Sequence, residues 1–161
     1  MILGVDPGAR ATGYGLLEGD GAAWSYAASG VIRPPAGRPL AERLAALDRA
    51  LRDLIARHRP AEVAVESIFH SRSPRAAIVM GHARGVILVA ARTAGAAVAE
   101  YAPLEIKMSV TGSGAASKEQ VREMVRRLIE APARLSLDAA DALAVALCHA
   151  NRRASFLAAR P

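Results

Sequence analysis

Two strand–helix–strand passages in succession, running from Trp24 to Tyr101, constrain the fold more than any other feature. Trp24–Ile32 has an extended pattern and ends at Pro34-Pro35. From Leu40 the apolar period changes to that of a helix: Leu40, Leu44, Leu47, Leu51, Leu54 and Ile55 form one stripe, and Pro60 ends it. Val63–Ile68 reads as a buried strand, Ser73-Pro74 opens a second helix to about Thr93, and Ala97–Tyr101 is extended again. Such alternation requires parallel strands with helices packed on the sheet.

The N-terminal part adds an antiparallel meander. Ile2–Val5 is a short apolar strand entering the turn Asp6-Pro7-Gly8, Gly13–Leu17 resumes it, and Glu18–Gly21 turns into the strand at Trp24. Beyond Tyr101, Leu104–Val110, Ser117–Ile129 and Asp138–Ala150 have helical patterns, with a flexible glycine-rich loop at Gly112–Ala116. The expected architecture is α/β, a mixed five-stranded sheet flanked by helices. It forms a single domain over residues 1–151, with 152–161 expected to fray as a tail.

Charge narrows the function. The 161 residues carry a net charge of +6, with nineteen arginines against only Lys107 and Lys118. GC-rich codons account for the arginine skew but not for the excess, which suits a polyanion such as nucleic acid. A hydrophobic share of 52% excludes a disordered chain. Apolar runs such as Val86–Ala91 are too short for a membrane span, and the start MILGVD lacks the basic segment of a signal peptide. Cys148 is the only cysteine, so neither an internal disulfide nor a cysteine metal cage is possible. A cytoplasmic protein without membrane association is expected.

Four carboxylates stand out within this basic chain. Asp6 follows the first strand, Glu66 lies near the end of the fourth, and Asp138 and Asp141 share a face at the start of an alanine-rich helix. If the first and fourth strands are neighbours, all four meet. Their mutual repulsion then calls for protons or a cation, and an all-oxygen donor set suits Mg²⁺ or Mn²⁺. Two such ions about 3.5–4 Å apart would activate water and stabilise the leaving oxygen of a phosphodiester. Taken singly, Asp6 is also a good turn residue, Glu66 a partner for an arginine, and Asp138 a helix cap.

The segments Ile2-Leu-Gly-Val-Asp6-Pro-Gly, Thr12-Gly-Tyr-Gly15, Ala64-Val-Glu66-Ser-Ile-Phe69, Gly81-His-Ala-Arg-Gly85 and Asp138-Ala-Ala-Asp141-Ala-Leu-Ala resemble, in order and spacing, the RuvC family of Holliday junction resolvases. The resemblance runs from residue 2 to about 150. It implies a ribonuclease H-like fold, a homodimer, and two symmetric Mg²⁺-dependent nicks across a four-way DNA junction, in recombination and repair. It makes Asp6, Glu66, Asp138 and Asp141 the metal-binding catalytic carboxylates and implies a RuvA–RuvB branch-migration complex as partner. Ser67 departs from the Gln or Glu expected after the catalytic Glu.

The same resemblance gives roles to other residues. Phe69 becomes a DNA-contacting aromatic on a loop with Arg72 and Arg75, where a lone Phe is otherwise a core residue or a stacking platform for an unpaired base. Lys107 and Lys118 become phosphate contacts, extended by Arg122, Arg126 and Arg127, where they are otherwise solvated helix lysines. Gly81 and Gly85 become part of a dimer interface, where they otherwise let their helix approach the sheet. Three other readings are open to the same residues. Asp6-Pro-Gly with Thr12-Gly-Tyr-Gly also resembles the phosphate loop of actin-like kinases. A nuclease of the same fold acting on ribosomal RNA precursors and a catalytically silent junction-binding module complete the set.

Overall fold

Alternation along the first strand sets the layers of the molecule. The computed structural model describes all residues except 9, 22, 68–72 and 159–161, with the side chains of 156–158 also undescribed. Strand β1 (Ile2–Asp6) is central, paired antiparallel with β2 (Thr12–Asp20) and parallel with β4 (Glu62–Glu66). β3 (Ala23–Ile32) and β5 (Ala97–Tyr101) form the edges, giving the order β3-β2-β1-β4-β5. The mixed five-stranded sheet is the one expected. β2 runs on to Asp20 instead of turning at Glu18, because Glu18, Gly19 and Asp20 stay paired with Ser25, Trp24 and Ala23.

Successive side chains of a strand point to opposite faces. Leu3, Val5, Leu16, Val63 and Val65 join the buried faces of α1 (Leu40–His58) and α2 (Pro74–Thr93). Ile2, Leu17 and Ala64 join α3 (Pro103–Thr111), α4 (Lys118–Ile129) and α5 (Leu137–Ala158). The helix starts are chemically marked. Ser73 Oγ accepts from Ala76 N at 3.1 Å, while Ser117 and Gln120 cap each other's backbone at 3.2 and 2.8 Å.

The helix α5 lies against the middle of the sheet, and small residues let it do so. Ala139, Ala140, Ala142, Ala144 and Ala146 are buried along it. A Cβ placed on Gly4 would stand 2.1 Å from the Ala142 carbonyl oxygen. Backbone therefore touches backbone at this crossing, as only glycine permits.

Two expectations need correction. In the described part of the expected tail, α5 continues from Arg152 to Ala158. Arg152 pairs with Glu105, and Arg153 reaches Glu62 at 2.5 Å, so ion pairs to distant elements hold this last stretch. The Gly112–Ala116 segment is not a loose loop either. Gly112 caps α3 in the left-handed conformation, and Thr111 Oγ1 accepts from Ser113 N at 3.2 Å. By length and apolarity α2 matches a membrane span. In the fold, however, Ile87, Ala90 and Ala91 are buried in the core shared with α1, and Arg84 pairs with Glu100.

Candidate active site

The parallel register of β1 and β4 brings the first two carboxylates together. Val5 pairs with Val65, so Asp6 and Glu66 follow side by side at the C-terminal ends of adjacent strands. Both continue the alternation of Ile2 and Ala64, which places them on the face covered by α5. Their carboxyl groups are hydrogen-bonded to each other.

The first turns of α5 supply the other pair. Ser136, not Asp138, caps this helix: its Oγ accepts from Ala139 N at 3.3 Å and its carbonyl from Ala140 N at 2.9 Å. Asp138 is thereby released from capping. The helix start is pressed onto β2, because a Cβ on Gly13 would meet the Asp138 carbonyl oxygen at 2.0 Å. Asp141, one turn on, is largely buried, and its Oδ2 accepts from Lys118 Nζ at 2.5 Å. The more open Asp138 stands 3.9 Å from Arg33 Nη2.

Burial and mutual repulsion shape the electrostatics. Burial, then the hydrogen bond and negative charge of Asp6, push Glu66 up to about 8. Burial chiefly raises Asp6 as well, with Asp141 and Asp138 adding to it and the Glu66 hydrogen bond opposing it. Burial and the contact between the two carboxyl groups thus both favour one proton held by the pair. The hydrogen bond to Asp141 raises Lys118 and keeps it cationic.

An oxygen-only cluster held together by one proton and one ammonium fits a hard divalent cation. Asp6, Glu66, Asp138 and Asp141 are the residues that would hold it. Among the described residues, no three His, Cys, Asp or Glu side chains already form a metal cage. A divalent ion held by all four carboxylates would take the place of the proton between Asp6 and Glu66 and of the Lys118–Asp141 contact.

Of the basic residues singled out from the sequence, Lys118 is the one brought to the carboxylates. Lys107 is half-buried on α3, Arg122 half-buried on α4, and Arg75 exposed in the first turn of α2. Phe69 and Arg72 lie outside the described residues. Gly81 and Gly85 do not serve packing within the chain. Both are exposed, and a Cβ on either would meet nothing within 4 Å.

Three features had no local signal in the sequence. Arg33 is one arginine among nineteen until the fold sets it beside Asp138. Ser67, the departure after Glu66, donates from N and Oγ to the Tyr101 carbonyl at 2.8 and 3.1 Å, extending the β4–β5 ladder past Glu66. The Tyr101 hydroxyl contacts His149 Nδ1 at 2.7 Å, and His149 Nε2 contacts Glu62 at 2.7 Å, so one polar chain ties α5 to both strands.

This strand order, with acidic residues at the adjacent ends of the two central parallel strands and on the covering helix, defines a nuclease of the ribonuclease H-like class. The family model described as "Crossover junction endodeoxyribonuclease RuvC" matches residues 2–149. The protein of that name from Alkalilimnicola ehrlichii is 50% identical over 151 residues, covering 94% of this chain and 91% of its own. That from Azorhizobium caulinodans is 48% identical over 152 residues, covering 94% and 90%. Among solved structures, Thermus thermophilus RuvC in complex with Holliday junction substrate superposes with a TM-score of 0.89 at 34% identity, covering 96% of this chain and 95% of that one. The yeast mitochondrial resolvase Ydc2, at 11% identity and a TM-score of 0.75, shares the fold. The chain belongs to the RuvC family of crossover junction endodeoxyribonucleases, metal-dependent enzymes that hydrolyse phosphodiester bonds.

Proposed function

We propose that this chain resolves four-way (Holliday) DNA junctions by paired symmetric nicks, with Asp6, Glu66, Asp138 and Asp141 holding two Mg²⁺ or Mn²⁺ ions. One observation carries the reading: Asp6 and Glu66 lie in register on adjacent parallel strands, beneath the helix turn that presents Asp138 and Asp141. The Thermus thermophilus relative, solved in complex with a Holliday junction substrate, supports the choice of DNA. When bound, divalent ions lower the pKa of water and stabilise the leaving oxygen. The protein's own task is to gather the carboxylates, release the proton held between Asp6 and Glu66, and position the strand. Lys107, Lys118, Arg75 and Arg122, with Phe69 and Arg72 outside the described residues, are the residues we assign to DNA. The decisive assay incubates a mobile synthetic junction with Mg²⁺, Mn²⁺ or chelator and maps nicks on all four strands. Symmetric, metal-dependent nicks are expected; their absence would remove the assignment.

The two-fold symmetry of such a junction suits an isologous dimer, and α2 offers a face for it. Ile78, Gly81, His82, Gly85 and Val89 form an exposed stripe at helical spacing, with Ile78 60% and Val89 59% exposed. Gly85→Glu is expected to leave the circular dichroism spectrum unchanged and to convert the dimer to a monomer in sedimentation. A variant that still sediments as a dimer would place the interface elsewhere. Cytoplasmic location and docking with RuvA–RuvB complete the proposal, by family membership.

A further inference from the structure

Arg33 is built into the site although its contact there contributes little to folding. Its backbone follows the Ile32–Thr12 pair at the end of β3, where Thr12 is buried, and precedes Pro34-Pro35. A residue before proline is kept extended, and proline fixes the backbone after it. Beside Thr12, Gly13 lies against the Asp138 backbone, so the end of the β2–β3 hairpin and the start of α5 form one contact. The guanidinium thus hangs from a stiff support over the outermost carboxylate. Yet its distance to Asp138 is 3.9 Å, both side chains are open to solvent (66% and 46%), and Arg33 has no other polar partner among the described residues. An ion pair this exposed and this long is easily exchanged.

A cation held loosely beside a metal-binding carboxylate is available to an anion. When Asp138 turns to an ion, Arg33 loses its partner and keeps its place at the mouth of the site. Its planar fork matches a phosphate bidentately. We infer that Arg33 binds a backbone phosphate of the strand being cut, adjacent to the scissile one, and so positions that strand over the carboxylates. The inference rests on the junction-cleaving function proposed above and adds a residue to its DNA contacts. Lys118 approaches Asp141 from the start of α4, so the strand would be held from two separate elements.

The test measures four-way junction affinity at four salt concentrations in Ca²⁺ buffer for wild type, Arg33→Ala, Arg33→Lys and Arg57→Ala. Arg57 is exposed in the last turn of α1, at the opposite end of the sheet, and controls for loss of a charge. Arg33→Ala is expected to make the slope of log affinity against log salt shallower by about 0.9, the release from one duplex phosphate. Arg33→Lys should regain most of that slope, and Arg57→Ala should follow wild type. If Arg33→Ala fails to fold, Arg33→Gln, which keeps the length of the side chain, carries the same comparison. Coincident lines for Arg33→Ala and wild type would overturn the inference and leave junction cleavage standing. An equal loss in Arg57→Ala would also overturn it. No preference of wild type for the junction over linear duplex would overturn both.

Discussion

Glu66→Gln is expected to abolish junction nicking, on the order of 10³-fold or more, and also to stabilise the protein in chelator at alkaline pH. Both effects come from one carboxyl. Glu66 titrates near 8 in the folded chain, against 4.5 for an ordinary glutamate. Between those values the folded state binds a proton that the unfolded state has released, so rising pH destabilises the metal-free wild type. Each pH unit in that window costs at most about 1.4 kcal/mol. Above pH 8 the site holds its full, unrelieved charge. Gln carries no such charge at any pH, so the variant's advantage should grow from pH 5 to 8 and then level off. Thermal melts in chelator from pH 5 to 9 measure this directly. Parallel curves would show that Glu66 does not share a proton with Asp6. With Mg²⁺ the order should narrow or reverse, because ligand binding to the folded state stabilises wild type by mass action.

Gly4→Ala should be more damaging to the fold than any exposed substitution, costing about 4 kcal/mol or more. The added methyl would sit 2.1 Å from the Ala142 carbonyl oxygen and 2.7 Å from the Ala146 nitrogen, both backbone atoms of α5. Neither can rotate away, so the helix must lift from β1, and its aspartates lift with it away from Asp6 and Glu66. Gly81→Ala provides the contrast. Nothing in the same chain lies within 4 Å of that position, and in the monomeric Gly85→Glu background alanine is favoured over glycine inside a helix by about 1 kcal/mol. One type of substitution is thus expected to act with opposite signs at two glycines. Denaturant midpoints for the two variants check it; a Gly4→Ala midpoint close to wild type would mean that α5 and β1 do not touch backbone to backbone.

Most elements are legible in the sequence because their signals are local. The stripe from Leu40 to Ile55 specifies a helix wherever it packs. Ser73-Pro74 and the Ser117–Gln120 pair satisfy backbone groups within a few residues of themselves. The family motifs are legible for the same reason, since each is a short run of residues. The parallel pairing of β1 with β4, on which the meeting of Asp6 and Glu66 depends, is a condition the sequence leaves open and the sheet register decides.

What the sequence does not reveal depends on partners far along the chain. The end of α5 looks like a loose tail until Glu105 and Glu62 are brought to Arg152 and Arg153. Asp138 reads as a helix cap until Ser136 is seen to fill that place. Gly4 and Gly81 are the same residue in the chain, yet one faces backbone and the other faces open space. The shared proton of Asp6 and Glu66 depends on burial and proximity together. The sequence by itself determines the layered α/β framework, because hydrophobic period and capping act over a few residues. Only tertiary structure decides which charges neutralise one another at the site, because Coulomb and desolvation energies depend on distances and burial that no local pattern encodes.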